Sequence, residues 1–523
     1  MNTVISPDRL AVLMSSAGLC AVFDVRERGE FNGCQIANAT SLPRSQIEFR
    51  IAELAPNPLT PLVVYDDGEG RARFAAGTLA EHGYRDIAML DGGLPAWRRG
   101  GFPTASGVNV PSKAFGEKVH RERMIPDISA EELKSLQDRN ADLLVLDVRT
   151  PEEYARFSIP GGINVPGGDL ILWAEVLKQR PETSVVVNCA GRTRSIIGAA
   201  ALRRLNVQNT RALRNGTMGW VLAGFELESR PRRSVAPPHE SRRQARDLAL
   251  ELARQENIPA LSVRELLASR DAGETGGTYL IDVRSETEYA SGHIPSSINV
   301  PGGQAVQRAD DFIAVRNGRI VFISDRSARA IMAAYWYRAM GFANAAFLQG
   351  GLEEWIENRG ELTFGAVEKA PLGLAEARAI CRMLAPPLVE SLLRSAPVQI
   401  IDVGSSLDFE AAHLPGAQWI SRGWIELKLP GLLADSHRPV LVSCLDGQQS
   451  LLAARTLAEM GYQEVYLLDG GVRSWVSAGY TILRGLEPCL VEPNDVVLSP
   501  SIRGSKEDMR RYLEWELKLD RHG

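Results

Sequence analysis

Cys189 is the residue in this chain whose surroundings most clearly favour nucleophilic chemistry. An apolar, β-branched run at residues 185–187 lies just before it and is typical of a buried strand. A short loop with Arg192 and Arg194 follows, and an Ala/Leu-rich helical pattern comes next. A thiol between a strand and the start of a helix lies beside free backbone N–H groups, and these groups and both guanidiniums favour its anionic form. The pattern therefore predicts a reactive thiolate at Cys189.

A second thiol, Cys444, also follows an apolar run and precedes a helical pattern. Its loop contains Asp446 and has no Arg or Lys before Ser450, so we expect weaker stabilisation of a thiolate there. We expect Cys189 to be the principal nucleophile and Cys444 to be a second candidate, either a weaker or differently specific site or an idle thiol. The residues predicted to bind the substrate are Ala190, Gly191, Arg192, Thr193, Arg194 and Ser195 in the first loop and Leu445, Asp446, Gly447, Gln448, Gln449 and Ser450 in the second.

The elements that would position these thiols occur four times along the chain. Each copy begins with an apolar run that ends in Asp-Val-Arg, or in Asp-Val-Gly in the last copy. The Asp residues are Asp24, Asp147, Asp282 and Asp402. The steps between them are the size of domains rather than of solenoid repeats. We expect each Asp to end a buried strand and to hold the next turn or the following Arg.

Each copy continues with strand and helix patterns and closes with a Gly-containing turn and a tryptophan. The tryptophans, which we expect to face the core, are Trp97, Trp220, Trp355 and Trp475. Strands that alternate with helices predict βαβ crossovers, and hence an α/β fold with a mainly parallel sheet flanked by helices on both faces. Ligands bind beyond the carboxyl ends of such strands, which is where the Cys189 loop begins.

The other two copies have no thiol at the loop position. Alignment on the following helix places Asp66 there in the first copy and Ser324 in the third. A carboxylate or a hydroxyl cannot carry a sulfur atom for transfer. We therefore expect the first and third copies to be chemically silent and to have structural roles.

These features together resemble the rhodanese family of sulfurtransferases, as four tandem rhodanese-like domains over nearly the whole chain. The combination is a strand with Asp-Val-Arg, an acidic-aromatic pair, an Ile/Leu-Pro turn, a Cys loop and a closing Gly-Gly…Trp segment. The resemblance implies that Cys189 takes the outer sulfur of thiosulfate or a low-molecular-weight persulfide. The cysteine persulfide would then pass this sulfur to a thiol or to cyanide. No metal or organic cofactor is required.

The order silent, thiol, silent, thiol resembles a two-domain rhodanese that has been duplicated. On that basis, we expect the first two copies to pack more tightly with each other than with the last two. The predicted domains are residues 1–110, 124–230, 258–366 and 375–487, with an Arg/Pro-rich linker and helix at 231–257 and a tail with a helix at 488–523.

Two alternatives to sulfur transfer stay open from the sequence. A Cdc25-like phosphatase or arsenate reductase needs a Cys-x5-Arg loop, but the sixth residue after Cys189 is Ser195, and the sixth after Cys444 is Ser450. This argues against phosphate chemistry. A non-catalytic sulfur-binding or scaffold protein is the other alternative, and the two loops without a thiol support it weakly.

Composition narrows the class of protein further. The chain has 523 residues, of which 45% are hydrophobic, and a net charge of −5, which gives no reason to expect a nucleic-acid partner. Neither a signal peptide nor an apolar run long enough to span a membrane is present. The six cysteines include no CxxC pair, which argues against a disulfide framework and a zinc site. We expect a cytoplasmic protein that acts on small-molecule donors and thiol acceptors; its oligomeric state is left open.

Overall fold

The computed structural model describes residues 3–271, 277–366, 370–433 and 435–519. It contains four parallel five-stranded sheets flanked by helices, one in each copy, and this confirms the predicted fold class. Two compact units are formed. We name them by the order of their copies in the sequence. The outer unit consists of Met1–Val108 and Glu368–Val497, and the inner unit consists of Asn109–Val367 and Leu498–Gly523. The last residues of the predicted tail, 520–523, lie outside the described part of the chain.

The prediction that the first copy packs with the second, and the third with the fourth, is wrong. The outer unit joins the first and fourth copies, and the inner unit joins the second and third. The residues that make these contacts come soon after one short strand of each copy, namely Thr40–Ser41, Ile163–Asn164, Ile298–Asn299 and Ala417–Trp419. In the inner unit, Gly168 lies so close to Gly302 that an added methyl group would come within 3.1 Å of the Gly302 backbone. In the outer unit, Arg422 reaches across to Glu48 at 2.5 Å and 2.9 Å.

The first copy belongs to the outer unit. Its strands are Thr3–Ile5, Ala21–Asp24, Gln35–Ile36, Thr40–Ser41, Leu62–Tyr65, Ile87–Leu90 and Thr104–Ala105. Its helices are Pro7–Ser15, Arg28–Gly33, the 3-10 turn Arg44–Gln46, Ile47–Leu54, Arg71–Glu81 and Gly93–Arg99. The third and last of these strands form a separate antiparallel pair.

The second copy belongs to the inner unit and is preceded by the helix Val110–Glu122, called here the linker helix. Its strands are Asp127–Ile128, Leu143–Asp147, Phe157–Ser158, Ile163–Asn164, Ser184–Asn188, Thr210–Leu213 and Glu228–Ser229. Its helices are Ala130–Asp138, Pro151–Arg156, the 3-10 helix Gly167–Trp173, Ala174–Lys178, Thr193–Arg204 and Gly216–Leu222. The long helix His239–Gln255 leads to the third copy.

The third and fourth copies repeat the same arrangement. The strands of the third are Ala260–Leu261, Thr278–Asp282, Ile298–Asn299, Arg319–Ile323 and Ala345–Leu348, and its helices are Val263–Asp271, Glu286–Ala290, Gly302–Gln307, Ala309–Phe312, Ala328–Ala339 and Gly351–Glu357. The strands of the fourth are Arg382–Leu384, Gln399–Asp402, Ala417–Trp419, Val440–Ser443 and Val465–Leu468. Its helices are Leu374–Ile380, Pro386–Ser395, Ser406–Ala411, the 3-10 turn Arg422–Trp424, Ile425–Leu432, Gln448–Glu459 and Gly471–Ser477. The chain ends with Lys506–Lys518, called here the C-terminal helix.

The repeated Asp lies at the same sheet position in every copy. It ends a central strand and pairs in parallel register with the residue just before the loop position, namely Asp24 with Tyr65, Asp147 with Asn188, Asp282 with Ile323 and Asp402 with Ser443. In the first three copies, the Arg two residues later forms a buried ion pair with this Asp at 2.6–2.7 Å. The expected structural role of the Asp is therefore confirmed for these copies.

The four closing tryptophans are buried, as predicted, and each is at most 2% exposed. Each lies one turn into the helix that follows the last long strand of its copy, where it fills the core beneath the sheet. None of the helices that the structure describes is both long enough and apolar enough to cross a membrane.

Candidate active site

Cys189 lies where the sequence places it, directly after the central strand Ser184–Asn188 and before the helix Thr193–Arg204. The loop packs against the closing turn of the second copy, which contains Gly216. Gly216 has φ of +54°, and a methyl group added to it would come 2.2 Å from the carbonyl oxygen of Cys189. Glycine is therefore required there both for the backbone conformation and for the close approach of the loop.

Both arginines of the Cys189 loop are bound to carboxylates. Arg192 donates from Nε and Nη2 to the two oxygens of Glu117 at 2.7 Å and 2.8 Å. Arg194 donates to the two oxygens of Glu153 at 2.6 Å and 2.9 Å. Burial alone would raise the pKa of Glu153, but the charge of Arg194 lowers it to about 2. The two guanidiniums thus contribute ion pairs to the site rather than free positive charges.

Arg194 nevertheless interacts with the Cys189 thiolate. Burial of its guanidinium tends to lower the pKa of Arg194, whereas Glu153 and the negative charge of Cys189 raise it above its ordinary value.

A further cation comes from the linker helix, which lies between the first two predicted domains. Lys113 is 4% exposed and contacts the C-terminal helix, where it hydrogen-bonds the Tyr512 hydroxyl and lies 3.5 Å from a Glu516 oxygen. Burial would lower the pKa of Lys113, but Glu516, Tyr512 and the Cys189 thiolate together raise it. The Pro in the first turn of the linker helix is a helix-start signal that could have indicated this element.

The C-terminal helix covers the Cys189 loop. Thr193 donates its hydroxyl hydrogen to Oε1 of Glu516 at 2.6 Å. A methyl group added to Gly191 would lie 3.3 Å from Oε2 of Glu516 and 3.6 Å from the Tyr512 ring. Cys189 itself is only 2% exposed.

The remaining predicted residues of this loop hold its backbone in place. The Ala190 carbonyl accepts a hydrogen bond from the Met218 N–H at 3.1 Å. The Ser195 hydroxyl donates to the Arg192 carbonyl at 2.7 Å. Within the described residues, no loop N–H donates to Sγ of Cys189.

The Cys444 loop holds its sulfur more closely. The N–H groups of Gly447 and Ser450 donate to Sγ of Cys444 at 3.2 Å and 3.3 Å, and the Ser450 hydroxyl lies 3.4 Å from it. Burial raises the pKa of the Cys444 thiol; hydrogen bonds from Ser450 oppose the rise, and the charges of Asp402 and Asp446 add to it. The sulfur thus accepts hydrogen bonds from the loop backbone, but the charged groups that act on it, Asp402 and Asp446, are negative.

Other residues of the Cys444 loop contact protein groups. Asp446 accepts a hydrogen bond from the Gln448 N–H at 3.0 Å, and the Leu445 carbonyl accepts one from Arg473 at 3.0 Å. The Gln449 side chain accepts a hydrogen bond from Nε of Arg422 at 2.8 Å.

Arg422 is a cation beside the Cys444 loop that the loop sequence alone does not reveal. It also binds Glu48 of the first copy. Burial would raise the pKa of Glu48, but the Arg422 charge lowers it to about 2. As at Cys189, the cation beside the loop is compensated by a carboxylate.

The loops without a thiol keep a hydrogen-bond acceptor at the same position. The Asp66 carboxylate accepts hydrogen bonds from the N–H groups of Gly68, Gly70 and Ala72 at 2.8–2.9 Å. The Ser324 hydroxyl oxygen accepts one from Ala330 at 3.3 Å. In the first copy, the protein's own carboxylate therefore occupies the centre of the loop.

Comparison with known proteins points in the same direction. The Rhodanese-like domain family matches residues 6–99, 129–223, 262–358 and 385–478. The thiosulfate sulfurtransferase GlpE of Pseudoalteromonas translucida is 31% identical over 87 residues, which are 17% of this chain and 81% of that protein. GlpE of Stutzerimonas stutzeri is 33% identical over 92 residues, with the same shares of 17% and 81%. The crystal structure of a thiosulfate sulfurtransferase from Pseudomonas aeruginosa is 35% identical, with a TM-score of 0.91, over 99% of this chain and 97% of that one.

Proposed function

Since this chain belongs to the rhodanese family and is a sulfurtransferase with four tandem rhodanese-like domains, we propose that it transfers sulfur through a persulfide on Cys189. The donor is thiosulfate or a low-molecular-weight persulfide, and the acceptor is a thiol or cyanide. Backbone N–H groups of residues 190–195 hold the donor and then the terminal sulfur of the persulfide.

The observation that carries this proposal is the charge around Cys189. Two buried cations, Arg194 and Lys113, lie within electrostatic range of Cys189, and each is paired with a carboxylate. The charged groups that act on Cys444 are Asp402 and Asp446, and both raise its pKa. Because the thiolate is the nucleophilic form, this contrast favours Cys189 as the principal nucleophile.

The reaction consists of two displacements at sulfur. In the first, the Cys189 thiolate attacks the outer sulfur of thiosulfate, the S–S bond of the donor breaks, and sulfite leaves with the bonding electron pair. In the second, an acceptor thiolate or cyanide attacks the terminal sulfur of the persulfide and releases the Cys189 thiolate. Each bond that breaks is replaced by one new bond to the transferred sulfur, so no external oxidant or reductant is consumed.

Cys444 is proposed as a second, weaker site. The N–H groups of Gly447 and Ser450 would stabilise either its thiolate or an attached sulfur. The first and third copies are proposed to be silent, because Asp66 and Ser324 cannot form a persulfide. Their loops support this role, since an internal oxygen already accepts hydrogen bonds from the loop backbone.

The proposal is tested by mass spectrometry on peptides after incubation with thiosulfate or cysteine persulfide. One added sulfur atom is expected on Cys189, and Cys189→Ser should abolish most transfer of sulfur to cyanide. Cys444→Ser serves as the matched control, and this variant should keep most of the activity. Loss of activity in Cys444→Ser but not in Cys189→Ser would reverse the assignment, and no adduct on either thiol would overturn the persulfide mechanism.

A reducing, cytoplasmic setting is proposed on the basis of the cysteines. All six are free thiols. Free thiols persist where glutathione and thioredoxin keep cysteines reduced, and low-molecular-weight thiol acceptors are abundant in the same compartment. Fractionation of cells followed by immunodetection of the chain would test the location.

A further inference from the structure

The C-terminal helix places a carboxylate directly over the loop that follows Cys189. Glu516 is 1% exposed, and one of its oxygens accepts the Thr193 hydrogen bond. The other oxygen, Oε2, is buried and has no hydrogen-bond partner among the residues that the structure describes. It faces Gly191, where an added methyl group would lie 3.3 Å away. An anion bound on this loop must therefore approach a buried, incompletely compensated carboxylate.

The cations at the Cys189 loop leave no excess positive charge for a bound anion. Each of the three identified above is already bound to one carboxylate: Arg192 to Glu117, Arg194 to Glu153 and Lys113 to Glu516. These pairs carry no net charge, so the remaining attraction for an anion comes from the backbone N–H groups of the loop and from the helix that starts at Thr193.

We propose that Glu516 determines the donor specificity of the Cys189 site, by disfavouring doubly charged donors such as thiosulfate relative to neutral or singly charged persulfides. The inference rests on the proposed function, because it concerns the donor that loads Cys189. Like charges placed next to each other in a buried site are an effective means of rejecting a ligand.

The favoured loading step is the reaction of the Cys189 thiolate with a persulfide R–S–SH. The thiolate attacks the outer sulfur, a new S–S bond forms on Cys189, and the S–S bond of the donor breaks. The thiolate R–S⁻ leaves with the electron pair, and the proton stays on the transferred sulfur or passes to the leaving thiolate. The total charge near Glu516 is unchanged in this step, whereas binding of thiosulfate adds two negative charges.

The test measures the rate at which Cys189 gains one sulfur atom from thiosulfate and from cysteine persulfide. Cys444→Ser is the background, so that a single thiol is followed by mass spectrometry. Glu516→Gln removes the charge and keeps the shape and an acceptor oxygen for Thr193. The ratio of the thiosulfate rate to the persulfide rate should rise about tenfold or more in this variant.

Glu514→Gln is the matched control. Glu514 is exposed on the same helix, and the substitution makes the same change in net charge two residues away. The ratio should stay within about twofold of the parent, because an exposed charge is screened by solvent and salt. Equal ratios in Glu516→Gln, Glu514→Gln and the parent would overturn the proposal.

Lys113→Met provides a test of opposite sign. It leaves Glu516 without its cation, so the ratio should fall about tenfold. Simple displacement of the C-terminal helix would shift the ratio in the same direction in both variants, and that result would also refute a charge-based selection.

Cys189→Ser separates the two proposals. Sulfur transfer that survives this substitution contradicts the proposed function, whereas a Cys189-dependent rate with an unaltered donor ratio contradicts only the role of Glu516.

Discussion

Asp402 is a buried carboxyl group that lacks the arginine partner found in the other three copies. Gly404 stands where those copies have Arg26, Arg149 and Arg284. Within the part of the chain that the structure describes, the Asp402 carboxyl group accepts two short hydrogen bonds, from the Ser443 hydroxyl at 2.7 Å and from the Gly404 N–H at 2.9 Å. Burial is the main reason why its pKa is raised to about 7, and the charge of Asp408 adds to the rise.

This raised pKa makes the fourth copy less stable as the pH increases. The native state holds the Asp402 proton more tightly than the unfolded chain, in which the pKa is about 3.9. The contribution of Asp402 to the free energy of unfolding is therefore greatest below pH 4, falls as the pH rises towards 7 and is constant above pH 7. A difference of about 3 units at about 1.4 kcal/mol per unit amounts to about 4 kcal/mol. Asp402→Asn cannot lose a proton, so its stability relative to the parent should rise by about this amount between pH 4 and pH 8.

Hydrogen exchange of peptides from Val440–Ser443, corrected for intrinsic exchange rates, measures this difference in the copy concerned. Asp282→Asn in the third copy is the matched control. It leaves Arg284 buried without its carboxylate and should destabilise by about 3–5 kcal/mol, with no gain as the pH rises. Our reasoning would be refuted if Asp402→Asn were destabilised by a constant amount from pH 4 to pH 8, because Asp402 would then be ionised in the native state throughout.

Two further predictions concern the loops themselves, and each has a control variant. Gly216→Ala should lower stability by more than about 3 kcal/mol, because the added methyl group would lie 2.2 Å from the Cys189 carbonyl oxygen. Gly224→Ala, also at positive φ but with nothing within 4 Å, should cost about 1 kcal/mol, and similar shifts in the thermal midpoint of the two variants would contradict the packing argument. Asp66→Ala removes the acceptor for three loop N–H groups and should cost about 3 kcal/mol by urea denaturation, whereas Asp66→Asn, which keeps one carbonyl acceptor, should cost less. An Asp66→Ala variant as stable as the parent would show that these N–H groups do not need a protein acceptor.

The local features around Cys189 could be predicted because they depend on neighbouring residues. A β-branched run and an Ala/Leu-rich pattern gave the strand and the helix correctly, since each reflects burial of a single element. The partners of the loop were not predictable in this way. Glu117 and Lys113 lie between the first two predicted domains, and Glu516 lies on the predicted tail helix, whose packing partner the sequence does not identify. Only the docking of these helices converts exposed charges into buried ion pairs.

Which copies pack together could not be predicted from the sequence either. Duplication of a two-domain pair was a reasonable interpretation of the alternating loops, but the order of copies in a chain does not determine which surfaces are complementary. Gly168 and Gly302 permit close contact in the inner unit, while Arg422 and Glu48 form an ion pair in the outer unit. The glycines belong to an Asn-Val-Pro-Gly-Gly segment that the second and third copies share and that the first and fourth copies lack.

In the first, third and fourth copies, the residue at the loop position accepts hydrogen bonds from the loop backbone, whether or not it is a thiol. The chain turns there from strand to helix and leaves N–H groups that no regular element satisfies. Sγ of Cys444 accepts two such hydrogen bonds, the Asp66 carboxylate accepts three, and the Ser324 hydroxyl accepts one. Polar residues at the loop position of the first and third copies therefore follow from the backbone. The proposed reactivity of Cys189 requires in addition a thiol, which the first and third copies lack at this position.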